Sequence, residues 1–336
     1  MTSKQNVPLL YVIPGLFLFL SPGGLPGAPD SLKDLSQQIF DVMSHAPGAQ
    51  PGSHRVVHAK GLVCQGTFEP SNGAQISRAA HFRGGPVPVT VRFSDGAPDP
   101  TIPDTSPDAA PRGMAIRFMI GRGTDIVANS HNGFAVGTGE DFLALLQAKA
   151  ATDRSKPHPW PIEQFLATHP RALKFVTDAK PVPASYATES FFGNNAFLFV
   201  NGGGNKQAGR YQIVPVAGPQ YLDPAEVAAK AKSGDFLAEE MKRRLANGSV
   251  KFRLLLQIAE PGDNTADSSV VWPDSRRKVE LGTITLTSLA TDNASAEKAL
   301  AFDPGRLTDG IELSDDPLPA LRSRVYAIGA AQRMAH

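Results

Sequence analysis

Four residues of a predicted helix have the types and the spacing of a ligand-binding face. The segment LRSRVYAIGAAQR covers residues 321–333 and has the composition of a helix. At about 100° per residue, Arg322, Tyr326, Gly329 and Arg333 fall within about 60° of one another. Tyrosine binds iron as a phenolate, and an arginine one turn away favours that ionised form. The glycine leaves this face bare enough for a flat ligand, and Arg333 could then bind a carboxylate at the ligand's edge.

A histidine elsewhere offers acid–base chemistry. His58 lies in HRVVHAKG, and the β-branched residues around it predict a β-strand. His54 and His58 could also form a metal-binding pair, but no third ligand stands at a usual spacing from them. The only cysteine, Cys64, excludes an intrachain disulfide and a cysteine-rich metal cage.

Length and charge point to a large domain that acts on small molecules. The chain has 336 residues and a net charge of +1, without the basic stripe of a nucleic-acid binder. The apolar run VPLLYVIPGLFLFL has the length of a signal peptide, but it is too short and too broken by Pro14 and Gly15 for stable membrane insertion. We therefore expect residues 1–30 to be a signal peptide or an extended N-terminus, in a protein that is periplasmic or exported in the first case and cytoplasmic in the second.

The order of predicted elements indicates an α+β domain over residues 31–336. A helix over residues 31–46 precedes four short alternating runs that predict antiparallel strands, and the first of these runs is RVVHAKGLVCQGTFE. A helical block follows, and then four more strands with a single helix, DPAEVAAKAKSGDFLAEEMKRRLANG, between the second and the third of them. Two groups of about four strands predict a closed antiparallel barrel of eight strands surrounded by helices.

Five segments, taken in order, resemble the haem catalase family. They are RVVHAKG, VTVRFSD, PRGMAIRF, DIVANS and AFDPGRLTDGIELSDDPLPALRSRVYAIGAAQR, and the match runs over most of residues 50 to 334. The resemblance implies a catalase core and a haem b cofactor. Because the sequence stops soon after Tyr326, it is most similar to the minimal single-domain branch, the catalase-related peroxidases, which lacks the C-terminal helical domain of ordinary catalases.

The resemblance also implies a role for each candidate residue. It makes His58 the distal acid–base group, with Asn129 and Ser94 as its catalytic neighbours. It makes Tyr326 the proximal iron ligand and Arg322 the cation beside its phenolate. The arginines that would hold the haem propionates are Arg55, Arg92 and Arg333, and the apolar residues of the haem pocket are Val57, Phe134 and Phe142.

The expected activity is the reduction of peroxides. Where ordinary catalases place a narrowing valine this sequence has Gly96, and Ala135 replaces one of two phenylalanines. A wider channel would admit organic hydroperoxides besides hydrogen peroxide, together with a small organic electron donor. We expect a monomer or a small homo-oligomer. The alternatives are an ordinary catalase that dismutates hydrogen peroxide, a hydroperoxide lyase or isomerase on the same fold, and a barrel that only binds haem.

Overall fold

A computed structural model describes residues 31–335 of the chain. The prediction of a signal peptide or an extended N-terminus falls on residues 1–30, outside the described residues. Within residues 31–335, no helix is both long enough and apolar enough to cross a membrane.

Ten antiparallel strands form the sheet, in two groups that a helical block separates. The first group is β1 (Gly61–Pro70), β2 (Val87–Ser94), β3 (Gly113–Phe118) and β4 (Thr124–Asn129). The second is β5 (Phe191–Phe192), β6 (Phe197–Val200), β7 (Lys206–Pro215), β8 (Val250–Ile258), β9 (Lys278–Leu289) and β10 (Ile311–Leu313).

Eight of these strands close into a ring, which confirms the predicted barrel. The pairing runs in the order β1, β2, β3, β4, β5, β7, β8 and β9, and β9 pairs again with β1. The prediction was wrong about one member, because the two-residue strand β5 closes the ring between β4 and β7. The predicted strand β6 instead pairs with the first part of β7, and β10 pairs with β6. A strand of two residues is too short for an alternating pattern to reveal it.

Phenylalanines fill the inside of the barrel. Phe93 of β2 lies 5.9 Å, between ring centroids, from Phe252 of β8, and Phe191 of β5 lies 5.9 Å from Phe93. These strands are not neighbours in the ring, so the three rings meet across the interior. All three side chains are fully buried. The barrel is therefore a packed core, and the space for a ligand must lie outside it.

Eight helices accompany the strands in the described residues. They are α1 (Ser31–Ser44), α2 (Gly139–Ala150), α3 (Pro161–Thr168), α4 (Pro170–Thr177), α5 (Pro224–Lys230), α6 (Phe236–Asn247), α7 (Asn293–Ala299) and α8 (Leu318–Ala335). The apolar faces of α1 and α8 pack together through Ile39, Phe40, Leu321 and Val325. These four residues are all buried, so the two helices form a second small core beside the barrel.

Two helical predictions needed correction. The single helix predicted between the strands β7 and β8 is two helices, α5 and α6, because the break between them is fixed by distant contacts. A carboxylate oxygen of Asp104 accepts the backbone N–H of Leu237 at 2.7 Å, and Lys60 donates to the carbonyl of Gly234 at 2.6 Å. The helix α7 was not predicted at all, since seven residues give no clear periodicity.

Candidate active site

All eleven candidate residues line one cavity. It lies between the barrel and the pair of helices α1 and α8, and its wall also includes residues of β2, β3 and β4. The candidate residues that line it are Arg55, Val57, His58, Arg92, Ser94, Asn129, Phe134, Phe142, Arg322, Tyr326 and Arg333. Segments far apart in the sequence therefore meet at one place, as a single binding site requires.

The backbone at His58 differs from the prediction. His58 lies in an irregular segment just before β1, and not on a strand, because its φ of +53° is incompatible with an extended chain. It is the only non-glycine residue of the described chain with a positive φ. This conformation costs about 1–2 kcal/mol and must be held by its surroundings. The backbone N–H of Ala59 donates to Ala97 at 3.0 Å, and Nη2 of Arg92 donates to the His58 carbonyl at 2.8 Å.

The imidazole of His58 is held from two sides. Its Nδ1 lies 3.0 Å from Oγ of Ser94 at the end of β2. On the neighbouring strand, a Cβ at Gly113 would stand 2.6 Å from the same Oγ and 3.0 Å from Nδ1, so only glycine leaves room for this pair. Burial and, to a lesser extent, the positive charge of Arg92 together lower the pKa of His58 to about 4. The ring is thus neutral near pH 7 and able to accept a proton.

Asn129 lies at the end of β4, beside the glycine that leaves room for Ser94 and His58. It pairs with Gly113 of β3 in the sheet, and its Oδ1 accepts the backbone N–H of His131 at 3.0 Å. This hydrogen bond occupies the amide oxygen. Because an asparagine side chain has an acceptor oxygen and a donor nitrogen, the bond leaves the amide N–H groups to face a ligand.

Tyr326 begins a chain of hydrogen bonds that passes through two other residues of the cavity wall, Arg322 and Asn195. Its hydroxyl accepts from Nη2 of Arg322 at 3.0 Å, one helical turn earlier on α8. Nη1 of Arg322 donates to Oδ1 of Asn195 at 2.6 Å, and Nδ2 of Asn195 donates to Asp316 at 2.8 Å. The pairing of Tyr326 with Arg322 confirms the predicted spacing. Asn195 and Asp316 were missed, since no pattern in the sequence links residues so far apart.

Three arginines gather at one edge of the cavity around a carboxylate that the sequence did not predict. Nη1 of Arg55 donates to Glu297 of α7 at 2.6 Å, and Nε of Arg92 donates to the same carboxylate at 2.7 Å. Arg55 and Arg333 both donate to the carbonyl of Leu300, at 2.9 and 3.3 Å. Burial and the charge of Arg92 lower the pKa of Arg55 to about 9, which the charge of Glu297 partly opposes.

The apolar wall includes residues of α1 that sequence reasoning missed. Phe134 and Phe142 lie 5.4 Å apart between ring centroids, and Phe40 of α1 lies on the same cavity. A Cβ at Gly329 would stand 3.2 Å from the Phe40 ring. The glycine lines the cavity, but the expectation of a bare face was incomplete, because Phe40 covers part of it. The helical spacing fixed only which residues share a face, and not what covers that face.

The predicted widening of the channel at Gly96 and Ala135 was wrong. Neither residue lines the cavity. A Cβ at Gly96 would stand 2.5 Å from the carbonyl oxygen of Pro111, so the backbone of a neighbouring segment fills the space that a side chain would take. Ala135 is buried in a separate apolar cluster with Val136 and Ala172.

The donor set of the cavity fits haem. A tyrosine hydroxyl paired with an arginine suits an iron atom, and three arginines with one carboxylate suit a ligand with two acidic groups. Nε of Arg333 is buried and has no hydrogen-bond partner, so a donor is available at this edge. The cavity wall between these polar groups is largely apolar, as a porphyrin requires. The described residues contain no cluster of three or more side chains of the types histidine, cysteine, aspartate or glutamate that could hold a metal ion, so the alternative of a metal pair at His54 and His58 has no support.

Comparisons with known proteins agree with this geometry. The family model described as Catalase matches residues 38–336. The chain is 38% identical over 302 residues to the catalase-related peroxidase of Mycolicibacterium paratuberculosis, which covers 88% of this chain and 94% of that protein. It is 31% identical over 303 residues to the catalase-related peroxidase of Synechococcus elongatus, with 88% of each protein covered. It is 27% identical to catalase isozyme A of Oryza sativa subsp. indica, over 83% of this chain and 59% of that protein.

Proposed function

The chain belongs to the catalase family, and we propose that it is a haem b peroxidase that reduces organic hydroperoxides and, more weakly, hydrogen peroxide. Catalases depend on haem, and the family makes this chain an oxidoreductase that acts on peroxide. The observation that carries the proposal is the cavity that contains both a neutral histidine, His58, and a tyrosine paired with an arginine, Tyr326 with Arg322.

Different residues of the cavity would bind different parts of the cofactor. Tyr326 would bind the iron through its oxygen, and Arg322 would donate a hydrogen bond to the same oxygen. Arg55, Arg92 and Arg333 would bind the two propionates. Haem bound in this way would supply an iron atom that takes electrons from the donor and passes them to the peroxide.

Proton transfer is the task of His58. Ser94 engages Nδ1, so Nε2 is the ring nitrogen left for the substrate. His58 would take the proton from the hydroperoxide and return it to the outer oxygen, which then leaves as an alcohol or as water. An amide N–H of Asn129 would donate to the oxygen atoms while their bond is polarised. Over the cycle a donor gives two electrons and two protons, and the hydroperoxide becomes one alcohol and one water.

The preference for organic hydroperoxides rests on two supports. Two relatives that match nearly all of their own length are named peroxidases. Besides the polar groups, the cavity wall has apolar side chains such as Val57, Phe134 and Phe142. These side chains suit the alkyl group of an organic hydroperoxide better than they suit the small, polar hydrogen peroxide. Gly96 and Ala135 give no further support, because neither residue lines the cavity.

The test is a steady-state comparison on protein loaded with haem b. The rates with hydrogen peroxide and with a bulky organic hydroperoxide are measured with and without a small aromatic donor. We expect donor oxidation to be faster with the organic hydroperoxide. Fast oxygen evolution from hydrogen peroxide without a donor would indicate an ordinary catalase instead. A rearranged product without donor consumption would indicate a lyase or isomerase, and haem binding without turnover would indicate a carrier.

A further inference from the structure

Glu297 joins two of the three arginines at the edge of the cavity. Its two oxygens accept from Nε of Arg92 at 2.7 and 2.8 Å, and one of them accepts from Nη1 of Arg55 at 2.6 Å. Both arginines and the glutamate are largely buried. Charged hydrogen bonds of this length in a buried place are strong, so Glu297 fixes the relative positions of the two guanidinium groups.

At this edge the positive charges outnumber the negative ones by two. Arg55, Arg92 and Arg333 repel one another, and the neighbouring positive charges lower the pKa of both Arg55 and Arg333. Burial is the larger cause in each case. Glu297 compensates one of the three positive charges and leaves two. Haem b has two propionates, so the charges of the site and of its ligand cancel only if Glu297 remains in place.

The backbone around Glu297 is built to keep it there. Asn293, at the start of α7, accepts the backbone N–H of Val63 and donates to the carbonyl of Gly61, at 2.8 and 3.1 Å. These bonds fix α7 to β1. A Cβ at Gly61 would stand 2.7 Å from Oε1 of Glu297 and closer still to Arg92, so glycine is needed for the ion pair to lie against the strand.

We propose that Glu297 is a positioning residue of the cofactor site, which holds Arg55 and Arg92 side by side as a receptor for two carboxylates and stays bound to them when the site is filled. The inference rests on the proposed function, because it takes haem as the ligand. In this arrangement some donors of the three arginines remain free for carboxylates. One of them is Nε of Arg333, which is buried and has no partner in the described chain.

The test compares two ligands on two proteins. The protein without cofactor is titrated with haem b and with the dimethyl ester of haem b, which has no free carboxylates, and the dissociation constants are measured from absorbance. In Glu297→Gln we expect haem b to bind at least about tenfold more weakly, because a charged hydrogen-bond partner of both arginines is lost. Binding of the ester should change by less than about threefold, since the lost interaction serves carboxylates.

Three results would overturn the inference. Tighter binding of haem b to Glu297→Gln would mean that Glu297 competes with the propionates. Equal weakening of both ligands would mean that Glu297 only supports the fold. Equal affinities in the variant and the unaltered protein would mean that Glu297 has no part in binding.

Controls separate this inference from the proposed function. Glu312→Gln removes a carboxylate from the surface ion pair with Lys206, and it should change neither dissociation constant. If Glu297→Gln does not fold, Glu297→Asp keeps the charge on a shorter side chain, and it should weaken haem b more than the ester. If the unaltered protein binds neither ligand, the proposed function fails. If it binds haem b and the two ligands respond alike to Glu297→Gln, only the inference fails.

Discussion

The guanidinium group of Arg92 donates from Nη2 to the backbone carbonyl of His58 at 2.8 Å. Arg92 also binds Glu297 through Nε, so one side chain connects the arginine-rich edge of the proposed cofactor site with the residue proposed to move protons. His58 has a backbone conformation that is costly for a histidine, and this hydrogen bond helps to keep it there. Binding at one side of the cavity is therefore mechanically linked to geometry at the other.

Replacement of His58 should remove the peroxide reaction and leave haem binding intact. His58→Gln keeps a polar side chain of similar size, but it cannot take up a proton, so we expect a loss of about 10²- to 10⁴-fold in the rate with peroxide. Stopped-flow absorbance on the haem-loaded variant gives that rate. His81→Phe is the matched control, because His81 is buried but does not line the cavity. A His58→Gln protein with an undiminished rate would rule out the proton-transfer role.

Loss of the Tyr326 hydroxyl should change the iron site itself. Tyr326→Phe keeps the ring but removes the oxygen that accepts from Arg322 at 3.0 Å, so Arg322 would face the iron without its partner. We expect weaker haem retention on gel filtration and an altered absorbance spectrum. Tyr221→Phe, at an exposed tyrosine bonded to Glu189, should alter neither measurement. An unchanged spectrum in Tyr326→Phe would exclude Tyr326 as the iron ligand.

Two histidines that are buried in the neutral form should each lower the unfolding free energy in acid, against the buried Asp95 and Glu189, whose raised pKa of about 7 acts in the opposite direction. Burial lowers the pKa of His58 to about 4 and that of His81 to about 3, against about 6.5 in the unfolded chain. Between pH 6.5 and these values the unfolded chain binds more protons, so each residue removes up to about 1.4 kcal/mol of unfolding free energy per pH unit as the pH falls. Urea unfolding from pH 7 to pH 4 measures the slope. As the pH falls, His81→Phe should lose less unfolding free energy than the unaltered protein, and an identical pH dependence would contradict a neutral buried His81.

A methyl group at Gly113 should disturb the His58 side chain without blocking the haem edge. In Gly113→Ala the new Cβ would stand 2.6 Å from Oγ of Ser94 and 3.0 Å from Nδ1 of His58, so one of them must move. We expect a slower reaction with peroxide, and a loss of about 1–3 kcal/mol in unfolding free energy from overpacking. Gly85→Ala is the control, since nothing lies within 4 Å of its Cβ position. Equal rates in the two variants would show that the pair tolerates displacement.

A valine at Gly96 should destabilise the protein and leave its choice of peroxide unchanged. The Cβ would stand 2.5 Å from the carbonyl of Pro111, and Gly96 does not line the cavity. We expect a loss of about 1–3 kcal/mol, measured by urea unfolding, with the same ratio of rates for organic and hydrogen peroxides. A shift of that ratio towards hydrogen peroxide would restore the channel argument made from the sequence.

Features that repeat along the chain could be predicted, and contacts between distant segments could not. The strand predicted within RVVHAKGLVCQGTFE, which is β1, and the helix that carries Arg322, Tyr326 and Arg333 are local features, and both predictions were confirmed. The resemblance then supplied His58 and the arginines as candidates, and all of them line one cavity. Neither Glu297 nor Asn195 could be predicted from the residues next to it in the sequence, because each acts by binding a guanidinium group of a distant segment. The error at Gly96 has the same origin, since the carbonyl that fills its space belongs to another part of the chain.

The packing of α1 against α8 has a consequence for biogenesis. The two helices form adjoining walls of the same cavity, yet the whole barrel separates them in the sequence. The ribosome therefore synthesises α1, which contains Phe40, long before it synthesises α8, which contains Tyr326. Until α8 has been synthesised and docked, a nascent chain has the α1 wall of the cavity but lacks Tyr326, the proposed iron ligand. Acquisition of the cofactor must then be a late event in the life of each new molecule, after translation of α8 and not during growth of the barrel.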